Sequence, residues 1–156
     1  MSVSRLNRMN IAIEQLQLDE LKAFLREQAE DAFPDLKDEQ RLNMLAEKWF
    51  KYSEFCVCRD EKNLLLGMIA FYDNQPESGI AYIPHVYVSI EYRRNGLFTS
   101  MLDIVSSYVK EKGFHEIRLE VDKQNKCAQH SYLSNGFNIV CSPNSKGNSF
   151  YMGKQL

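Results

Sequence analysis

Val86-Tyr87-Val88-Ser89-Ile90-Glu91-Tyr92-Arg93-Arg94-Asn95-Gly96-Leu97-Phe98 runs from an apolar strand into a basic turn and then straight into an amphipathic helix. The first backbone N–H groups of such a helix have no partner within it, and its dipole favours an anion at that end. Arg93 and Arg94 add positive charge, and Gly96 lets a ligand approach the backbone closely. The stretch reads as a phosphate or pyrophosphate cradle. The alternative is a tight strand-to-helix turn carrying two solvated arginines. The glycines of G-x-G-x-x-G are missing and no G-x-x-x-x-G-K-[ST] string exists, so neither a dinucleotide site nor a P-loop is indicated.

Working outward, Ile80–Ser89 reads as the strand that feeds this turn. Pro84 lies inside it and cannot donate to a ladder, which predicts a bulge or an unpaired position. Leu97–Lys112 is the clearest helix, with Phe98, Met101, Leu102, Val105, Tyr108 and Val109 on one face and Gly113 at its C-terminus. Upstream, Asn10–Leu16 alternates as a first strand. Leu18, Leu21, Phe24, Leu25, Ala29 and Ala32 then repeat at helical spacing until Pro34 stops them. A second helix starts near Asp38 and buries Leu42, Leu45, Ala46 and Trp49. Phe55–Arg59 and Leu64–Tyr72 are near-continuously apolar, as strands buried on both faces are. Downstream come a strand with Ile117, Leu119 and Val121, a short helix over Asn125–Asn135, and strands over Phe137–Cys141 and Phe150–Lys154. The order β-α-α-β-β-β-α-β-α-β-β predicts an α/β (α+β) chain: a single mixed, mostly antiparallel sheet with helices on both faces.

Composition sets bounds on function. A length of 156 residues, 44% of them apolar, suits one domain with a real core. The expected division is a polar leader over residues 1–9 and a single domain over residues 10–156. The net charge of −2 argues against a dedicated nucleic-acid binder. The acidic excess lies in the first 54 residues, with 8 basic and 11 acidic side chains, which solvated helix faces explain, a cationic partner being the alternative. The longest clean apolar run, Leu64–Tyr72, is far below the roughly 18–20 residues that span a bilayer. No secretory segment is evident and four cysteines are too few for a disulfide scaffold, so a cytoplasmic protein without a membrane partner is expected.

Two motifs resemble those of the GNAT acetyltransferase superfamily. Val88-x-x-x-x-Arg93-x-x-Gly96-x-Phe98 is similar to its Q/R-x-x-G-x-G/A signature after an L-x-V strand ending. Asn125-x-x-Ala128-x-x-x-Tyr132-x-x-x-Gly136-Phe137 is similar to its second motif. The element order from Asn10 to Leu156 matches as well, including a last strand with Met152, Lys154 and Leu156. The resemblance implies a GNAT-like acyl-CoA acyltransferase fold with acetyl-CoA as co-substrate and no metal. Backbone amides of Arg93, Arg94, Asn95, Gly96, Leu97, Phe98 and Thr99 would hold the pyrophosphate. The strand Val86, Tyr87, Val88 would splay from its neighbour and pair with the pantetheine arm. An amide near Val88 would face the thioester carbonyl, Asn125 would hold the arm, and Tyr132 would protonate the departing thiolate.

Three positions depart from the pattern. Phe98 replaces a small residue, Arg94 stands where many relatives carry glycine, and Tyr82 aligns with their glutamate. The proton acceptor is therefore open between His85, Glu120 and a relayed water, and a structural histidine is the plain alternative for His85. The resemblance implies a small-molecule or peptide amine acceptor, placed against Phe24–Phe33, the second helix and the loop Asp73–Gly79. Tyr72, Tyr82 and Tyr87 could line its pocket. Cys56 and Cys58 read as buried thiols, and Cys127 has no evident base beside it. A homodimer is left open. The rival function is a non-catalytic CoA-binding or partner-binding module of the same fold.

Overall fold

The computed structural model describes residues 8–140 and 147–156, so most of the leader and Cys141 lie outside the described residues. Seven strands form a mixed sheet in the order β1-β2-β3-β4-β5-β7-β6, flanked by four helices. The strands are β1 (Asn10–Ile13), β2 (Glu54–Arg59), β3 (Leu65–Tyr72), β4 (Ile80–Val88), β5 (Glu116–Asp122), β6 (Asn138–Val140) and β7 (Ser149–Gln155). The helices are α1 (Leu18–Ala29), α2 (Glu39–Tyr52), α3 (Leu97–Glu111) and α4 (Lys126–Ser134). This is the element order expected from sequence. The first strand stops at Ile13, three residues short of the expected end. Of the Phe137–Cys141 expectation, Asn138–Val140 forms the strand.

The chain divides into two compact units, with β3, β4 and α3 each contributing to both. The first comprises the described residues up to Ala70 together with His85–Val105. Within it β1 pairs antiparallel with β2, from Asn10↔Arg59 to Ile13↔Cys56. Helix α1 buries Leu21, Phe24, Leu25 and Gln28, and α2 buries Leu42, Ala46 and Trp49. Leu45, expected on that stripe, is only half-buried. The Asp38 carboxylate accepts from the N–H groups of Gln40 and Arg41 at 3.0 and 3.4 Å, a cap of the kind that stabilises a helix by about 1 kcal/mol. Cys56 and Cys58 are fully buried in β2, and burial pushes their thiols up to about 12 and about 11. The buried Arg59 guanidinium donates to Glu14 at 2.9 Å and to Glu20 at 2.8 Å, tying β2 to the start of α1. Those contacts satisfy a charge that would otherwise be costly to bury.

The second unit comprises Phe71–Pro84 and Ser106–Leu156. Its strand β7 pairs antiparallel with both β5 and β6. The first half of β4 pairs parallel with β5 over four residue pairs, Ile80↔Glu116 to Ile83↔Leu119. That ladder ends at the residue before Pro84, which has no N–H to continue it. Burial nevertheless alternates without interruption from Ile80 to Val88. Pro84 therefore ends the pairing with β5 and leaves the faces of the strand unchanged, so of the two expectations the unpaired position applies on that side.

Candidate active site

Residues of the cradle lie in the first unit. After β4 the chain makes a 3-10 turn over Ile90–Tyr92, and α3 begins at Leu97. Arg94 has φ +64° and Gly96 φ +78°, both left-handed. Glycine adopts that conformation freely, whereas for arginine it costs roughly 1–2 kcal/mol. Arg94 thus keeps the backbone of a glycine position while presenting a cation there. A Cβ built on Gly96 meets no atom within 4 Å, so space above the loop is open. Leu97 is buried and anchors the first turn of α3, Phe98 is half-buried, and Thr99 is exposed. The Asn95 side chain donates to the Arg93 carbonyl at 2.8 Å, which braces the turn from within. Arg94 is exposed and, among the described residues, enters no ion pair.

Arg93 behaves differently. Its Nε donates to the Val88 carbonyl at 2.8 Å, and its two terminal nitrogens reach the Asp31 carboxylate. The Tyr87 hydroxyl donates to the same carboxylate at 2.8 Å. These bonds, the Tyr87 one foremost, hold the Asp31 carboxyl below the usual carboxylate range. Tyr87 is buried and its phenol is pushed up to about 12, chiefly by burial. Its hydroxyl is thus engaged by Asp31. Val86 and Val88 point the other way along β4, half-buried.

His85 shares the buried face with Tyr87, as strand alternation requires. Its Nε2 lies 2.6 Å from Oε1 of Gln28, so Nε2 donates and Nδ1 is the remaining acceptor. The ring packs 4.5 Å from Phe33 and stacks 4.7 Å from Trp49. Burial in this box pushes the imidazole down to about 4, against a small opposing pull from Asp35. At neutral pH His85 is uncharged.

The second motif lies in the second unit. Asn125 caps α4, its Oδ1 accepting from the Ala128 N–H at 3.1 Å, which leaves the Nδ2 amide as a donor. Tyr132 sits 5.7 Å from Phe137, ring to ring, and burial pushes its phenol up to about 12. It is protonated throughout the neutral range, the form a general acid needs. Tyr82 faces Tyr151 at 6.5 Å, and burial, the Glu120 carboxylate and the neighbouring Tyr151 and Tyr72 push its phenol up to about 12. Glu120 is exposed and accepts from the Ser149 hydroxyl. Sequence reasoning missed Gln28 and Asp31. They stand 57 and 62 residues from His85 and Arg93, so no local spacing marks them.

The model of the acetyltransferase (GNAT) family matches residues 18–137, and the chain belongs to that family. Its fold is similar to that of the PaiA N-acetyltransferase of Thermoplasma acidophilum, solved with coenzyme A, at a TM-score of 0.71 and 20% identity over 94% of this chain and 99% of that one. A GNAT-family acetyltransferase of Staphylococcus aureus is similar at 0.71 and 19%, again over 94% and 99%. A GCN5-related N-acetyltransferase of Kribbella flavida is similar at 0.69 and 19%, over 97% and 99%. No curated protein matches the chain in sequence. Among the described residues no helix is long and apolar enough to cross a membrane.

Proposed function

We propose that the protein transfers an acetyl group from acetyl-CoA to a primary amine by direct attack within a ternary complex. The observation that carries the reading is the open left-handed loop Arg94–Gly96 at the start of α3, a backbone suited to a pyrophosphate. The co-crystallised coenzyme A of the Thermoplasma relative supports the same co-substrate. The amine nitrogen attacks the thioester carbonyl carbon, the C–S bond breaks, and Tyr132 gives its proton to the leaving thiolate. An amide near Val88 stabilises the developing oxyanion, and the Nδ2 of Asn125 holds the pantetheine arm. No covalent enzyme intermediate or metal enters this scheme.

The amine must also lose a proton. His85 is one of the candidates for that step, with Nδ1 the atom left to accept. Its burial between Phe33 and Trp49 and its low basicity favour a relayed water over the imidazole. On the acceptor side, Tyr82, Tyr151 and the Glu120 carboxylate suit a cationic small molecule or peptide amine. Release of free CoA thiol from acetyl-CoA across a panel of amines tests the reading. Binding without thiol release from any amine would replace it with a non-catalytic CoA-binding module.

A further inference from the structure

The two adjacent arginines of the loop do different work, and the difference is set by a carboxylate on the chain that leaves α1. Three of the five N–H donors of the Arg93 guanidinium are committed inside the protein, one to the Val88 carbonyl and two to Asp31. The guanidinium also lies over the Tyr87 ring, 5.5 Å from its centroid. Asp31 is fixed in turn by the Tyr87 hydroxyl. Arg93 is thereby paired and held at three of its donors, while Arg94 stands exposed one residue on, in a conformation that arginine does not favour. We propose that Asp31 is a positioning residue that makes Arg93 a strut between the α1 end and the end of β4, and that of the two arginines it is Arg94 that supplies side-chain charge for the phosphates.

The inference rests on the acetyl-CoA reading and deepens it. Two opposite results follow from the two roles Arg93 can have. If Arg93 were a phosphate ligand screened by Asp31, removing the Asp31 charge would release a cation into the cradle and tighten CoA binding. If Arg93 is a strut, the same change loosens the loop and weakens binding. Of the other charged groups on α1 and the turn after it, Arg26 is paired with Glu39 and Glu30 with Lys37, while Glu27 acts on Tyr87 as a second carboxylate that remains in every variant.

Calorimetric titration with CoA, and with pantetheine as a probe lacking every phosphate, reads the difference. In Asp31→Asn, CoA affinity is expected to fall about tenfold with pantetheine affinity unchanged. The KM for acetyl-CoA should rise while kcat stays within about twofold, a split that general destabilisation would not give. The double variant D31N/R93Q should bind CoA no worse than Asp31→Asn, because both changes break one strut. Arg94→Ala should lose about tenfold for CoA alone and flatten the salt dependence of binding. Tighter CoA binding by Asp31→Asn would overturn the assignment, as would an unchanged affinity in Arg94→Ala. Should Asp31→Asn fail to fold, Tyr87→Phe, which removes one bond to the carboxylate, decides by the same sign. A wild-type protein that does not bind CoA would instead remove the functional reading itself.

Discussion

Nε2 of His85 donates to Oε1 of Gln28 at 2.6 Å, a bond from β4 to α1 closed over by Phe33 and Trp49. Its energetic consequence is a pH dependence of folding. The unfolded imidazole titrates near 6.5 and the folded one at about 4. Between those values the unfolded chain binds a proton that the native protein does not, so stability should fall as pH drops through that window. The loss should approach about 3 kcal/mol at pH 4 and level off below it. Denaturant melts from pH 7 to pH 4 check this, and His85→Gln should lack the decline in that window. An equal decline in the variant would place its origin elsewhere.

The same variant addresses the proton acceptor. With a weakly basic amine, whose own titration lies below the range scanned, the acidic limb of the pH–rate profile should be the same in wild type and His85→Gln. A limb that flattens in the variant would restore His85 as base.

Cofactor binding should raise the melting temperature by mass action, by about 2.7 kcal/mol of stability at a hundredfold excess over Kd. Gly96→Asp should abolish that shift, since it brings a carboxylate to the cradle and a side chain to a φ of +78°. A folded Gly96→Asp with a normal CoA shift would mean that the pyrophosphate binds elsewhere.

Tyr132→Phe deletes a hydroxyl and keeps the ring against Phe137. Turnover should fall by roughly 10²–10⁴-fold with acetyl-CoA affinity almost unaltered. Undiminished single-turnover rates would return Tyr132 to a packing role.

Arg94→Gly should raise stability in the absence of ligand by about 1 kcal/mol, because glycine adopts φ +64° without strain. The same variant should bind CoA more weakly. Chemical denaturation and titration together separate the two effects, and a destabilised Arg94→Gly would contradict the backbone argument.

How far the sequence carried depends on range. Helices α2 and α3 follow from apolar periodicity and from Asp38, all signals within one or two turns. The Arg93–Gly96 loop is equally local, and its expected backbone freedom appears in the left-handed residues. Strand alternation alone sets His85 beside Tyr87, since Pro84 interrupts pairing without adding a residue to one face. What pattern alone could not reveal was what those two side chains meet. Gln28 and Asp31 arrive from α1 and the turn after it, more than fifty residues away, and engage the His85 ring and the Tyr87 hydroxyl. Pairings at that separation are fixed by packing and leave no spacing to read.

The thiols offer a practical handle. Cys56 and Cys58 are sealed in β2 with ionisation pushed far above neutral pH, so alkylating reagents meet little thiolate there. Cys127 is exposed in α4, two residues beyond Asn125. In a background where Cys141 is replaced by serine, one maleimide dye would therefore report from beside the cap of α4. If Asn125 holds the pantetheine arm as proposed, the dye's emission would follow cofactor arrival in real time, with no amine and no turnover required.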